Sequence, residues 1–316
     1  MPLAIDLALF ALGIPLLWGA SVILVRGAAA IARRLGLSSF LIGLTVVSFG
    51  TSAPELFVNG LAALRGETAL AMGTILGSNV SNVLLVLGAA ALFTPLRVES
   101  DTVRLEIPFT LIATLAVAVL ANDALVDGGR SILDRSDALL LLAFFVLFLT
   151  YAMLRVRDGS SVETVVHPLS LPRALLFLGG GLVGLAIASD WLVSGATLLG
   201  PLIGIPDAVT GFVVLALGTS LPELAASIAA ARAGQRDMAV GNVVGSNLFN
   251  LLLILGVTAL ITPIPLVTSA NLHLGAALVA NLLLLPFLIT GLTLRAWEGW
   301  VLIASYVTYA GWLVLH

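Results

Sequence analysis

Apolar runs long enough to cross a bilayer follow one another along almost the whole chain, near 3–25, 38–63, 69–92, 104–122, 137–154, 172–194, 206–231, 237–260, 269–290 and 298–315. A run of about 20 residues spans the hydrocarbon core only as a helix, because in lipid every backbone N–H and C=O must be satisfied within the segment. The alternating apolar and polar residues of a membrane barrel are missing. Charge is correspondingly scarce: 10% of residues are charged and 60% are hydrophobic, whereas soluble domains carry about 25% charge. The first run, "MPLAIDLALFALGIPLLWGASVILV", has no basic leader and exceeds a signal-peptide core, so it reads as a span. With no Cys in the chain, disulfides and thiolate metal sites are excluded, and any metal is held by oxygen or His.

The runs come in two sets. Shifting the sequence by 168 and comparing residues 42–96 with 210–264 gives 25 identities in 55 positions without a gap. The register extends back to "VRGAAAIARRLGLSSFLIG" over "VSGATLLGPLIGIPDAVTG" and fails only near the fifth span, where the first copy carries the longer loop "NDALVDGGRSILDRS". Each copy holds five spans, so the second must enter the membrane from the opposite side. The expected fold is an all-α polytopic membrane protein with ten transmembrane helices in two inverted-topology five-helix repeats. The first repeat is expected at 1–154 and the second at 172–316, joined by a short cytoplasmic connector at 155–171. All fourteen basic residues are Arg, and an external N-terminus places eleven of them on the cytoplasmic side against three outside. Both termini are therefore expected outside a cell (inner) membrane.

Polar residues interrupt the repeated spans at matching depths. "SFGTSAPEL" (Ser48–Leu56) and "LALGTSLPEL" (Leu215–Leu224) bring Glu55 and Glu223 into apolar surroundings. A carboxylate at mid-membrane costs about 2.5–3.5 kcal/mol on insertion scales, and neither copy offers an Arg at that depth. A bound cation is the natural compensation. Pro54 and Pro222 lack an N–H, so carbonyls near Gly50 and Gly218 lose helical partners. Those carbonyls join the hydroxyls of Thr51, Ser52, Thr219 and Ser220 in an all-oxygen neighbourhood suited to Na+ or Ca2+. "GTILGSNVSN" and "GNVVGSNLFN" add Ser78 with Asn82 and Ser246 with Asn250, each pair on one helical face. The flanking Gly73/Gly77 and Gly241/Gly245 permit close helix approach.

Single "GTS" or "GSN" sequences in membrane helices are more often structural hydrogen bonders; recurrence beside a matched Glu reverses that weighting. Asn79 and Asn247 lie about 100° off the Ser face, where packing or a helix–helix hydrogen bond is as good a reading. Asn59 is a candidate partner of Glu55, and Asp190, opposite Val22 of the first copy, a candidate for the external mouth. Of the three His, His167 falls in a loop, His316 is terminal, and His273 has no acidic or His neighbour to make a site.

The paired "GTSAPE…GSNVSN" and "GTSLPE…GSNLFN" resemble the alpha-repeats of the cation/Ca2+ antiporter superfamily, in its prokaryotic sodium/calcium exchanger branch. The resemblance covers nearly the whole chain. It implies a cluster of four cation sites coordinated by Thr51, Ser52, Glu55, Ser78 and Asn82 with Thr219, Ser220, Glu223, Ser246 and Asn250, and by the carbonyls of Ser48 and Ala216. Some relatives carry Asp at one of the late Asn positions, as does the potassium-dependent branch; here both are Asn, which argues against K+. "GTS" in both copies argues against the "GNxxE"-like pattern of proton/calcium exchangers. The implied function is electrogenic Na+/Ca2+ antiport by alternating access, without an enzymatic step, a cofactor, nucleic acid or an obligate protein partner. The expected ligands are Ca2+ and Na+, and the bilayer is the solvent. A Ca2+/H+ antiporter, in which the Glu pair carries protons, is the chief alternative, with a Glu-lined cation channel behind it. An intramembrane hydrolase finds no Ser/His, Asp/Asp or HExxH arrangement at membrane depth.

Overall fold

A computed structural model describes residues 3–66, 68, 71–98, 102–123, 131–154, 169–202, 218–266, 270–289 and 291–315. Its helices are α1 (Leu3–Leu35), α2 (Ser39–Thr51), α3 (Ala53–Leu64), α4 (Ala71–Phe93), α5 (Ile107–Leu120), α6 (Arg135–Leu154), α7 (Leu171–Leu202), α8 (Leu221–Arg232), α9 (Arg236–Ile261), α10 (Ala270–Ile289) and α11 (Ala296–Leu315). Every expected span has a helical segment, although the part of the seventh before Gly218 lies outside the described residues. Among the described residues, six helices are individually long and apolar enough to cross a membrane, or seven when α2 and α3, bent by 43° at Ser52, count as one span. The first and sixth spans run well past their expected ends at 25 and 194. Arg26, Arg33 and Arg34 are good helix formers, so charge alone does not stop α1.

These two helices, each about 50 Å long at 1.5 Å per residue, pack along their length. Partners on α7 fall in number as those on α1 rise, Phe10 with Gly195, Gly13 with Leu192, Leu24 with Gly181, Gly27 with Leu178, so the helices are antiparallel. The absent Cβ atoms are what allow it: one on Gly27 would stand 2.6 Å from the Leu178 nitrogen, one on Gly181 2.8 Å from Leu24 Cα. The pairs also exchange under the 168-residue shift. Gly13–Leu192 becomes Gly181–Leu24, and Gly27–Leu178 becomes Gly195–Phe10. Identical contacts exchanged between antiparallel equivalents define a two-fold axis across the helices, which is the inverted topology.

The remaining helices form a core around α4 and α9, most of whose side chains are buried. Two short antiparallel pairings tie the copies together, Leu96–Arg97 with Thr293–Leu294 and Ile132–Leu133 with Ile264–Pro265. Partition of side chains is inverted relative to a water-soluble protein. Large apolar residues such as Phe57 (67% exposed), Leu64 and Leu176 face outward, while Ser48, Thr51, Ser52, Glu55, Asn59, Ser78, Asn79, Asn82, Ser220, Glu223, Asn242, Ser246, Asn247 and Asn250 are buried. Hydrocarbon as solvent and a polar interior explain both halves of that pattern.

Candidate cation site

The buried polar residues converge where the broken helices meet α4 and α9. Ser52 leaves the helix at φ −89°, ψ 1° and Ser220 at φ −88°, ψ 1°, so the backbone breaks identically in both copies. Pro54 and Pro222 fall at the start of α3 and α8, where a missing N–H costs nothing. Glu55 and Glu223 then lie in the first turn, at the positive end of the helix dipole. Before the break, Ser52 N–H still bonds the Ser48 carbonyl at 3.0 Å, which also accepts from Thr51 Oγ1 at 3.3 Å.

Contacts cross between the copies. Ser52 Oγ donates to Glu223 Oε1 at 3.0 Å and the hydroxyls of Ser78 and Thr219 are 2.8 Å apart, while within the second copy Ser246 Oγ lies 3.4 Å from the same Glu223 oxygen. Asn82 Nδ2 donates to Asn247 Oδ1 at 3.1 Å, and Asn250 Nδ2 to Asn79 Oδ1 at 3.0 Å. The last two bonds are one interaction seen from both ends of the two-fold axis. Of the sequence-derived candidates, Ser48, Thr51, Ser52, Glu55, Ser78, Asn82, Thr219, Ser220, Glu223, Ser246 and Asn250 lie in or beside this cluster; Ala216 lies outside the described residues.

Several acceptor atoms have nothing to accept. Glu55 Oε2, Glu223 Oε2, Asn82 Oδ1, Asn250 Oδ1 and Ser220 Oγ are buried without a hydrogen-bond partner among the described residues. A buried polar group left unpaired costs about 1–3 kcal/mol, more if charged. Carboxylate, amide and hydroxyl oxygens with free lone pairs and no basic side chain suit a hard cation.

Two features were not legible in the motifs. Asn242 accepts from Thr51 Oγ1 at 3.3 Å and donates to Ser227 Oγ at 3.0 Å and the Glu223 carbonyl at 3.5 Å. Thr74 stands at its place in the first copy, so the repeat does not single it out. The second is a π-turn in each central helix, Asn82–Leu87 and Phe249–Ile254, which changes the facing of side chains where Asn82 and Asn250 lie. Asn59 Nδ2 donates to the Glu55 backbone carbonyl one turn earlier at 2.8 Å, and not to the carboxylate. Asp190 is exposed on α7. His273, read as lacking acidic or His neighbours, pairs with Tyr309 at 2.5 Å.

Comparison with known proteins places these observations in a family. The family model described as "Sodium/calcium exchanger protein" matches residues 5–154 and 173–315. The chain is 42% identical to inner membrane protein YrbG of Escherichia coli (strain K12), over 76% of this chain and 75% of that one. It is 30% identical to the sodium/calcium exchanger MaX1 of Methanosarcina acetivorans, over 97% and 98% of the two chains. A solved structure of the sodium-calcium exchanger NCX_Mj superimposes with a TM-score of 0.82 at 30% identity, covering 98% of this chain and 99% of that one.

Proposed function

Because the chain belongs to the sodium/calcium exchanger protein family, we propose that it exchanges Na+ for Ca2+ by alternating access at the Glu55/Glu223 cluster. At the coarser level the family assigns, it is a multi-pass membrane cation/Ca2+ exchanger and not an enzyme. The observation that carries the finer reading is the set of buried oxygens without hydrogen-bond partners, contributed in matched pairs by Glu55 and Glu223, and Asn82 and Asn250. Around them, Thr51, Ser52, Ser78, Thr219, Ser220 and Ser246 supply hydroxyl oxygens, and Ser48 and Ala216 carbonyls.

Charge balance makes the exchange strict. The dianionic pair is neutralised by one Ca2+ or by two Na+, which compete for the same oxygens, and the empty site is held back by the cost of carrying charge through hydrocarbon. A third Na+ makes the cycle electrogenic, coupling it to the membrane potential by about 2.3 kcal/mol per charge per 100 mV. Na+ rather than H+ is the counter-ion on the strength of "GTS" in both copies, and of MaX1, which is named a sodium/calcium exchanger. The two repeats, 1–154 and 172–316 about the connector 155–171, alternate access by sliding the α1–α7 pair across the core. The protein sits in the cell (inner) membrane with both termini outside, a reading supported by the Arg distribution.

Purified protein in liposomes tests this. Radioactive Ca2+ uptake should follow an outward Na+ gradient at clamped pH, and uptake that follows only a pH gradient overturns the choice of Na+. Glu55→Gln and Glu223→Gln should each lower Ca2+ uptake at least about 100-fold, because one charge within ~3 Å of a divalent ion is worth several kcal/mol even at an effective dielectric of 20. Wild-type flux in either variant would mean that the site lies elsewhere.

A further inference from the structure

Three hydrogen bonds link the four central Asn residues across the two-fold axis. Asn82 on α4 donates its amide nitrogen to Asn247 Oδ1 on α9, Asn250 on α9 donates to Asn79 Oδ1 on α4, and Asn79 Nδ2 donates to the Asn247 backbone carbonyl at 3.3 Å. All four are about 1% exposed. A terminal amide has one end that attracts a cation and one that repels it. With both nitrogens engaged across the interface, the ends of Asn82 and Asn250 left without a partner are the oxygens.

We infer that Asn79 and Asn247 are positioning residues whose acceptor oxygens fix the amide orientation of Asn82 and Asn250, so that each presents oxygen and not NH2 to the cation. The inference rests on the cation-site reading above. It assigns a specific task to two residues that the helical face pattern set apart from the ligands. Without the acceptor on Asn247, no protein group fixes which end of Asn82 faces the site before the ion arrives, and binding must first turn away an amide that puts a partial positive charge against Ca2+. A carboxylate at position 82 has no wrong end, since its two oxygens are equivalent, and it has no N–H to give to Asn247. The role of Asn247 should therefore vanish in that background.

The experiment is a double-mutant cycle read by direct binding, using radioactive Ca2+ and purified full-length protein in detergent so that transport is not needed. N247L alone should weaken Ca2+ binding about 10- to 100-fold, as loss of a group that orients a metal ligand does. The same substitution introduced into N82D should change the affinity of N82D by less than about threefold. N79L, alone and in N250D, repeats the test on the reciprocal half, and N247S replaces N247L should the bulkier side chain prevent folding. An equal loss in both backgrounds would show that Asn247 only supports packing, and unaltered binding in N247L would show that it does nothing; either result overturns the inference. Glu55→Gln separates the two levels of argument. If it binds Ca2+ normally, the site itself is misplaced. If it abolishes binding while N247L leaves it intact, the site stands and only the positioning role falls.

Discussion

Asn59 and Asn242 occupy places where the two copies disagree. Position 227, equivalent to Asn59, is Ser, and position 74, equivalent to Asn242, is Thr. Compared residue by residue, these are two unrelated losses of symmetry. In the folded chain each amide donates to the backbone carbonyl of the Glu in its own copy, Asn59 to Glu55 at 2.8 Å and Asn242 to Glu223 at 3.5 Å. One comes from the broken helix and the other from the helix packed on it. The task is the same and the helix supplying it has switched. N242T, which copies the first repeat at that position, should raise the Ca2+ concentration for half-maximal exchange roughly tenfold. Adding S227N should bring it back to within about threefold of wild type. A double variant as impaired as N242T would show instead that the amide matters through its bond from Thr51, which a side chain at 227 does not replace. Such compensation is invisible to an ungapped comparison, because it links positions 15 apart in sequence that meet only after the helices pack.

Helices were legible to different degrees for physical reasons. The break at Ser52 could be read from Pro54, because proline cannot donate within a continuing helix. The far end of α1 could not, because Arg26, Arg33 and Arg34 mark a change of polarity but are good helix formers, nor that of α7, because a helix with apolar residues all round loses the periodicity that marks its limits. The π-turns at Asn82–Leu87 and Phe249–Ile254 carry no local signal; Asn79 and Asn247 lie in regular helix before them, where their face could be read but not what they bond. The glycine pairs were legible in part. Gly241 and Gly245 do take α9 against α2: a Cβ on Gly245 would stand 2.5 Å from Ser48 Oγ and 2.8 Å from Ser48 Cβ. The residues that would face Gly73 and Gly77 by the same shift, near Ala208 and Phe212, lie outside the described residues. G245A should therefore destabilise the protein by about 1–3 kcal/mol, the usual cost of overpacking. It should also displace Ser48, at the foot of the broken helix. A lowered melting temperature of purified protein is the expected reading, and an unchanged one would mean that the α2–α9 crossing yields without cost.

For the molecule as a whole, the repeat predicts a relation between halves, and the exchange of contacts under the 168-residue shift is that relation in three dimensions. It separates the fold into two bodies. In the α1–α7 pair, glycines of each helix receive side chains or backbone of the other along most of their length; the core holds every described candidate ligand. Contact between the bodies runs through side chains: Leu182 of α7 sits against Gly50 of α2, where a Cβ would stand 2.4 Å from the Leu182 side chain, and a cation lies beside a ring. Arg232, at the end of α8, lies 5.1 Å from the Trp18 ring of α1 and, within the core, 4.7 Å from the Phe93 ring of α4; the contact with Trp18 is a polarisable one worth about 0.5–1 kcal/mol where exposed. Such a contact can break and re-form during a cycle, whereas a dense interface with backbones touching moves as a unit. If access alternates by sliding the pair, joining the bodies should stop transport and joining the two helices of the pair should not. The chain has no Cys, so introduced thiols are the only ones. W18C with R232C, bridged by a short bis-maleimide, is expected to abolish Na+-driven Ca2+ uptake relative to the same variant unbridged. A disulfide between A20C and G184C, at an α1–α7 contact, is expected to leave uptake within about twofold. Loss of flux in the second variant alone would mean that α1 and α7 move against each other. Full flux in a verified W18C–R232C cross-link would mean that the pair stays fixed on the core, and the alternation would have to arise within the core, at the hinges on either side of Ser52 and Ser220.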